Sequence, residues 1–299
     1  MKKSKVLVAV FLLGFSLLLA ACNIDNDNGI NGQDPGGESP TEGPGDPTQS
    51  ESITVDEQVL YNEGDIFIEL KSLDEEGIFG PSLKVLIENN RDEDIMVQTR
   101  GTTVNDLVVD TIFSANVVAG KSSNDEITFS QDSLDKAGIE IIKDIELRFS
   151  VSDADSWGTL VETDIISIST SADPAFEQTY DDSGQVVLDQ DGYRVVVKRV
   201  SSEDSFWGAD VYVFIENNSD KAITIQTRDV SINGFMVDPI FSSDIPAGKK
   251  AYDTITFMES DLEDNDISSI DELEMVLHII EKESWDTLLD TDPIVVNFE

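Results

Sequence analysis

Residues 85–100 read VLIENNRDEDIMVQTR, and residues 213–228 read VFIENNSDKAITIQTR. The match is part of a longer internal duplication, because about 34 of the 87 residues from position 78 to 164 are identical to the residue 128 places further along the chain. A repeat of this length has the size of a domain and not of a short motif. The sequence therefore predicts two tandem copies of one fold, at residues 51–172 and 173–299.

Apolar and polar residues alternate in both copies, which is the pattern of half-buried β-strands. Val85 and Ile87 alternate before an Asn-Asn turn, and Ile95 and Val97 alternate after it. The parity of the alternation changes near Arg100 and at the same place in the second copy. A change of parity inside a strand predicts a β-bulge, where one extra residue bends the strand.

Turns and helices follow the same duplicated plan. Residues 233–234 (Asn-Gly) are a strong signal for a tight hairpin because both residue types tolerate positive φ, and the first copy has the weaker Asn-Asp at residues 105–106. One short helix is predicted in each copy, at residues 132–137 and 261–265, and Gly138 is expected to end the first.

Many short strands with frequent turn signals indicate an all-β fold. The predicted fold is two tandem immunoglobulin-like antiparallel β-sandwich domains, which follow a signal peptide and a disordered linker. The Cys-Trp-Cys pattern of antibody domains is absent from the sequence, so a jelly-roll-like sandwich stays open as the alternative.

The N-terminus has the layout of a secretory signal peptide, at residues 1–21. Three lysines precede an apolar run of about 16 residues, which is shorter than the roughly 20 residues that a membrane-spanning helix needs. The run ends in Leu-Ala-Ala-Cys, which resembles the lipobox of bacterial lipoproteins. That resemblance implies that Cys22, the single cysteine of the chain, receives a diacylglycerol and becomes the first residue of the mature protein. An ordinary cleavage site beside a stray cysteine is the alternative.

Residues 22–50 are rich in Gly, Pro, Asp and Asn and contain no Lys or Arg. Such a segment has too little apolar surface to offset the entropy cost of ordering it. It is interpreted as an acidic tether between the lipid anchor and the folded part. The expected location is the extracytoplasmic face of the cell membrane.

The charge of the chain excludes nucleic acid as a partner. Loss of residues 1–21 leaves 16 Lys and Arg against 61 Asp and Glu. Because nucleic-acid binding depends on Lys and Arg that neutralise phosphates, such an acidic surface repels polyphosphates. The predicted partners are the membrane, through the lipid on Cys22, and a protein or glycan ligand.

The residues and motifs that usually carry out catalysis do not indicate an enzyme. The single histidine, His278, falls at the polar-facing parity of its strand and is expected at the surface, and no nucleophile-elbow, zinc-protease or phosphate-loop motif is found. Carboxylate pairs would suffice for glycoside hydrolysis, but in a chain with 61 acidic residues many pairs arise by chance. The prediction is a protein without catalytic, cofactor or metal residues.

Four aromatic residues are candidates for ligand contact because they lie in loops next to strands: Phe79, Trp157, Trp207 and Trp285. An exposed aromatic residue there can stack on a sugar or anchor a protein partner. Packing against the core or rim of the sandwich is the favoured interpretation for all four.

Carboxylates flank two of these tryptophans, at Asp153 and Asp155 in the first copy and at Glu281 and Glu283 in the second. Carboxylates two residues apart can converge on calcium. The exchange of Asp for Glu between the copies argues against this, because a calcium site is sensitive to ligand length. An acidic turn is the favoured interpretation.

Arg100 and Arg228 are basic residues repeated at the same place on an acidic chain. A local ion pair with a neighbouring carboxylate is the favoured interpretation, and a ligand-binding group is the alternative.

The chain resembles surface lipoproteins of Gram-positive bacteria that carry tandem immunoglobulin-like domains. The resemblance rests on the lipobox, the tether and two repeated turns, which are Ile-Glu-Asn-Asn at residues 87–90 and Ala-Gly-Lys at residues 119–121 in the first copy. The resemblance brings no activity with it. The expected function is a lipid-anchored, non-enzymatic binding or spacer module. An accessory subunit of a membrane or cell-envelope complex is the alternative, followed by a carboxylate-based glycan-active enzyme.

Overall fold

The computed structural model describes residues 52–201 and 207–298. The predicted signal peptide (residues 1–21), Cys22 and the tether (residues 22–50) lie outside the described residues. None of the helices in the described part of the chain has the length and apolar character needed to cross a bilayer.

Eleven strands and one helix form the described part of the first half of the chain, residues 52–172. The strands are β1 (Gln58–Glu63), β2 (Ile66–Asp74), β3 (Ser82–Asn89), β4 (Ile95–Val104), β5 (Leu107–Val108), β6 (Thr111–Ile112), β7 (Ser114–Val117), β8 (Lys121–Phe129), β9 (Asp144–Asp153), β10 (Thr159–Glu162) and β11 (Ile166–Ser169). The helix α1 (Gln131–Ala137) follows β8.

The second half, from residue 173 onward, repeats this order with ten strands and one helix among its described residues. The strands are β12 (Gln185–Gln190), β13 (Tyr193–Ser201), β14 (Gly208–Asn217), β15 (Ile223–Ile232), β16 (Phe235–Met236), β17 (Ser242–Ile245), β18 (Lys250–Met258), β19 (Glu272–Glu281), β20 (Thr287–Asp290) and β21 (Ile294–Asn297). The helix α2 (Glu259–Asp264) follows β18.

Each half is a sandwich of antiparallel strands. In the first half, one layer has the order β1-β2-β3-β8-β6, and the other is built on the β4–β9 pair with β5, β7, β10 and β11 beside it. The second half repeats this plan with β12-β13-β14-β18 as one layer and the β15–β19 pair in the other. The prediction of an all-β, immunoglobulin-like fold is confirmed.

The alternating residues of the opening stretch form the core, as predicted. Val85, Ile87, Ile95 and Val97 are at most 1% exposed and belong to one hydrophobic cluster. Their counterparts 128 residues later belong to a second cluster. Burial of such aliphatic side chains contributes roughly 1.5–3 kcal/mol each, so these two clusters dominate the stability of the fold.

The predicted bulges are present in both halves. The register between β4 and β9 shifts after Arg100, and the register between β15 and β19 shifts after Arg228. Gly101 and Asp229 follow these arginines with φ of 58° and 49°. The left-handed residue is the extra one that bends the strand and reverses the parity of the side chains.

The predicted hairpins and helices are also confirmed. Asn105 and Asp106 have φ of 51° and 68°, and Asn233 and Gly234 have φ of 51° and 83°, so both pairs turn the chain with two left-handed residues. Gly138 ends α1 in the left-handed conformation, with φ of 64°. Both helices begin one or two residues before the predicted position.

The Asn-Asn pair of the opening stretch has a role beyond the turn. Asn217 is fully buried, and its Nδ2 donates to the backbone oxygens of Lys221, Ile245 and Pro246 at 2.7–3.0 Å. In the first half, Asn89 Nδ2 donates to the oxygens of two residues, at 2.9 Å each. The first asparagine of each pair therefore ties two loops together from inside the fold.

The two halves share one continuous sheet. A single parallel bridge joins Leu107 on β5 to Lys250 on β18. Beside it, Lys249 Nζ lies 2.6 Å from Asp106 Oδ1 and 2.8 Å from Glu146 Oε2. This contact between the halves is called the internal junction.

Candidate functional site

A cleft of about 1280 Å³ lies between α1 of the first half and the outer face of β13, β14 and β18 in the second half. Part of the segment that connects the halves, residues 173–184, forms another wall. Trp207 is among the residues that line this inter-repeat cleft, whereas Phe79, Trp157 and Trp285 are not. The structure therefore separates the four aromatic candidates.

The wall of the cleft rests on an outer face that is more apolar in the second half than in the first. Val196 and Phe214 point away from the sandwich core, yet both are fully buried. The Tyr180 ring of the connecting segment stacks on Phe214 with ring centroids 5.5 Å apart, and the Tyr252 ring also packs against Phe214, with centroids 5.0 Å apart. In the first half, Glu69 takes the place of Val196. The connecting segment thus covers a surface that one copy has made apolar.

Polar contacts fix the connecting segment in place. The Tyr252 hydroxyl donates to the backbone oxygen of Asp181 at 2.8 Å and accepts from the backbone N–H of Asp181 at 2.7 Å. Lys198 Nζ donates to the backbone oxygens of Asp181 and Ser183. Hydrogen bonds from the Ser183 hydroxyl and from Lys198 hold the pKa of the Asp181 carboxyl well below its usual range. Because these bonds anchor the backbone, this wall of the cleft is preorganised.

Aromatic and charged groups also line the cleft. The guanidinium of Arg199 lies over the Tyr212 ring at 3.8 Å from its centroid, and Trp207, which also lines the cleft, has 56% of its surface exposed. Asp210 Oδ1 accepts from the Thr256 hydroxyl at 2.6 Å. Flat apolar rings beside oriented carboxylates and hydroxyls suit a ligand that has both a flat face and hydrogen-bonding groups.

Asp253 is a partly buried carboxylate among the residues that line the cleft. Burial raises the pKa of the Asp253 carboxyl, although hydrogen bonds from the Ser243 hydroxyl and from the backbone N–H of Thr254 oppose the shift. At neutral pH this carboxyl is still ionised, and because burial disfavours the charged form, its ionisation lowers the stability of the folded protein.

Replacing Asp253 with asparagine is expected to raise the stability of the protein at neutral pH. The neutral amide keeps an oxygen for the two donors and avoids burying a charge. The difference in Tm between variant and wild type is expected to shrink as the pH falls through the raised pKa, and to close below the unfolded value of about 3.9, where wild-type Asp253 is protonated in both states.

Thermal unfolding at a series of pH values tests this prediction. Glu283→Gln, at an exposed position, is the control for removing one negative charge from a very acidic chain. An Asp253→Asn variant that is less stable than this control at neutral pH would contradict the prediction.

The favoured packing interpretation of the four aromatic candidates is wrong. Phe79, Trp157, Trp207 and Trp285 are between 56% and 69% exposed. Trp157 and Trp285 lie at the tips of equivalent hairpins with φ of 61° and 62°, and this left-handed conformation leaves both side chains exposed. A left-handed backbone is uncommon for so bulky a residue, and both copies have it.

The carboxylates beside these tryptophans hold the hairpins together. Asp153 Oδ1 accepts from the Ser156 hydroxyl at 2.7 Å and from two backbone N–H groups, and these bonds lower the pKa of the Asp153 carboxyl. Glu281 Oε2 accepts from the Ser284 hydroxyl at 2.8 Å and from Lys221 Nζ at 3.1 Å, which lowers its pKa in the same way. Within residues 52–201 and 207–298, no group of three or more His, Cys, Asp or Glu is placed to hold a metal ion.

His278 is buried, so the prediction of a surface histidine is wrong. The side chain is 4% exposed, and its Nδ1 lies 2.6 Å from Asp290 Oδ1 on the neighbouring strand. Ser150 takes the same place in the first half, and its hydroxyl donates to Glu162 Oε1 at 2.5 Å. A hydrogen bond to a carboxylate on the adjacent strand is therefore the shared structural role.

The two repeated arginines differ in their contacts. Arg228 Nη1 lies 3.9 Å from Asp290 Oδ1, which confirms a local ion pair for this residue, although both side chains are about half exposed. Arg100 instead donates to the side-chain oxygen of Gln98 at 2.9 Å. Among the contacts of the described residues Arg100 has no ion pair, so the ion-pair prediction is wrong for this residue.

Several cleft residues escaped the sequence analysis, notably Lys198, Arg199, Tyr212 and Tyr252. A signal for them exists in the alignment of the two copies. Where the second copy has Tyr212 and Tyr252, the first has lysine and asparagine at outward-facing strand positions. Divergence on the face of a sheet that the core does not constrain marks a surface with its own role.

No protein-family model and no curated protein match this chain. Among solved structures it is similar to the YadV chaperone, at 9% identity and a TM-score of 0.21, over 73% of this chain and 92% of the chaperone. It is also similar to a chain of the Salmonella enterica SafA pilin–SafB chaperone complex, at 9% identity and a TM-score of 0.19, over 73% and 89% of the two chains. A protein of unknown function from Porphyromonas gingivalis W83 matches at 10% identity and a TM-score of 0.20, over 73% and 91%. TM-scores of this size support no inference about a ligand or partner.

Proposed function

We propose that this chain is a lipid-anchored, non-enzymatic module on the extracytoplasmic face of the membrane, and that it binds an oligosaccharide in the inter-repeat cleft. The anchor is Cys22, in a protein of the Gram-positive surface lipoprotein type. The observation that carries the proposal is the cleft itself, where exposed aromatic and polar groups occupy positions at which the two copies diverge.

The charges in the cleft favour a ligand without formal charge. Two of its basic residues are paired with carboxylates, because Lys136 Nζ lies 2.8 Å from Asp132 and Lys198 Nζ lies 2.9 Å from Asp181. The remaining aspartates of the lining would repel an anion. A neutral sugar ring has an apolar face that stacks on an aromatic ring and hydroxyl groups that bond to carboxylates, so it fits this lining.

Replacing Trp207 with alanine is expected to weaken oligosaccharide binding by about tenfold or more, which corresponds to about 1.4 kcal/mol, because exposed aromatic residues dominate many binding sites. A soluble Cys22→Ser form is first screened on a glycan array, and the best array ligand is then titrated by calorimetry. Phe79→Ala is the matched control, because Phe79 occupies the equivalent position in the first half outside the cleft. An array with no binding, or equal affinity for the Trp207→Ala variant, would argue against the proposal.

An accessory subunit of a membrane or cell-envelope complex is the second candidate function. The exposed Trp157 and Trp285 on equivalent hairpins favour it, because exposed tryptophans are frequent anchors of protein interfaces. Recovery of one membrane complex by wild type and by Trp207→Ala, but not by a Trp157→Ala/Trp285→Ala variant, would support this function over glycan binding.

A further inference from the structure

The internal junction joins two unlike ends of the same fold. The first half contributes the Asn-Asp turn, with Asp106, and the short strand β5, whereas the second half contributes the start of β18 and the loop before it. The backbone N–H of Lys250 donates to the backbone oxygen of Asp106 at 3.0 Å. Val108 on β5 packs against the hydrophobic cluster of the second half.

Because the two halves are copies of one fold, each of the two surfaces that meet at the internal junction has a counterpart in the other half that lies outside the junction. The counterpart of β5 is β16, an edge strand of its sheet. Val108 is covered at the junction, whereas its counterpart Met236 is 66% exposed, and the neighbouring Phe235 is 49% exposed. Met236 is therefore an exposed apolar side chain at the position where Val108 forms the junction.

The other surface of the junction recurs at the start of β8. Lys121 is the counterpart of Lys249, in the same Ala-Gly-Lys sequence. Val118, the counterpart of Pro246, is 56% exposed. At the junction the ring of Pro246 lies against Gly101 of the first half. The first half thus presents, at its free end, a surface of the kind that the second half uses to dock.

We propose that copies of this chain associate head to tail by repeating the internal junction, with β16 of one copy against the start of β8 of the next. In this contact Lys121 pairs with Glu274, the counterpart of Glu146, and Val118 and Met236 lose their exposure to water. The surfaces are heterologous, so each dimer keeps one free surface of each kind and further copies add in the same way.

Three differences make this contact weaker than the internal junction. Asp229 replaces Gly101, so Val118 faces a carboxylate where Pro246 faces a glycine. Gly234 replaces Asp106, which removes one of the two carboxylates that face the lysine. The acidic copies also repel each other, and salt screens that repulsion. The association is therefore expected to strengthen as the salt concentration rises.

Sedimentation velocity of the soluble Cys22→Ser form tests the proposal, over a wide range of protein concentrations at low and high salt. The weight-average mass is expected to rise past that of a dimer as the concentration increases. Met236→Asp and Val118→Asp are each expected to stay at the monomer mass. An equimolar mixture of these two variants is expected to reach the dimer mass and stop, because each retains one intact surface.

Ile78→Asp is the control, since Ile78 is 96% exposed and lies outside both surfaces. It is expected to associate as wild type does, and thermal unfolding verifies that each variant is folded. A wild type that stays monomeric at all concentrations and salt levels, or an equal loss of association in Ile78→Asp, would overturn the proposal. A mixture of the two variants that stays monomeric would overturn the heterologous arrangement.

Discussion

Replacing Cys22 with serine is expected to move the protein from the membrane fraction to the soluble fraction of the producing cells. A serine hydroxyl cannot form the thioether that carries the diacylglycerol. Two acyl chains bury many methylenes at roughly 0.8 kcal/mol each, so their loss removes nearly all of the affinity for the bilayer. The acidic body offers no replacement, because an anionic membrane surface repels it.

Metabolic labelling with a clickable fatty acid, followed by fractionation, measures both consequences. Wild type is expected to carry the label and to sediment with membranes, whereas Cys22→Ser carries none. Ser16→Ala, which leaves the thiol in place, is the control for substitutions in the apolar run. A labelled Cys22→Ser protein would disprove the lipobox assignment.

Replacing Asn217 with alanine is expected to destabilise the protein by about 3 kcal/mol. The amide bonds to three backbone oxygens in a fully buried position, and alanine leaves them without that donor. An unsatisfied buried polar group costs about 1–3 kcal/mol, and partial relaxation of the loops lowers the sum. Asn89→Ala removes two such bonds and is expected to cost about 2 kcal/mol.

Urea unfolding measures both effects through the midpoint of the transition. The matched controls are Asn218→Ala and Asn90→Ala, the exposed second residues of the two Asn-Asn pairs. Exposed substitutions of this kind usually change stability by less than about 0.5 kcal/mol. If Asn217→Ala and Asn218→Ala unfold at the same urea concentration, the hydrogen bonds of the buried asparagine do not stabilise the fold as assigned.

The opening stretch shows how far sequence reasoning reaches in this fold. Its alternation predicted the buried positions Val85 and Ile87, and the change of parity predicted the bulge after Arg100. These are local properties, because side chains alternate along any strand and an extra residue reverses that alternation whatever surrounds it. The same reasoning interpreted the Asn-Asn pair as a turn and missed that Asn89 and Asn217 are buried.

The wrong predictions for His278 and Trp157 have different causes. His278 was assigned to the surface because its parity is opposite to that of the core residues, and that parity is correct. Parity tells which face of a sheet a side chain occupies, but it does not tell what covers that face. Trp157 was assigned to packing because of its size, whereas its left-handed backbone at a hairpin tip leaves the ring exposed.

The sequence by itself determined the duplicated all-β plan, the bulges and hairpins, and the acidic charge of the chain, since these depend on short-range periodicity and on composition. The tertiary structure alone decided that the outer face of β13, β14 and β18 is covered by the connecting segment, that a cleft opens beside α1, and that the two halves share a sheet through Leu107 and Lys250. Those features join residues that lie tens to more than a hundred positions apart. Their contacts depend on how the two copies pack and not on the pattern within either copy.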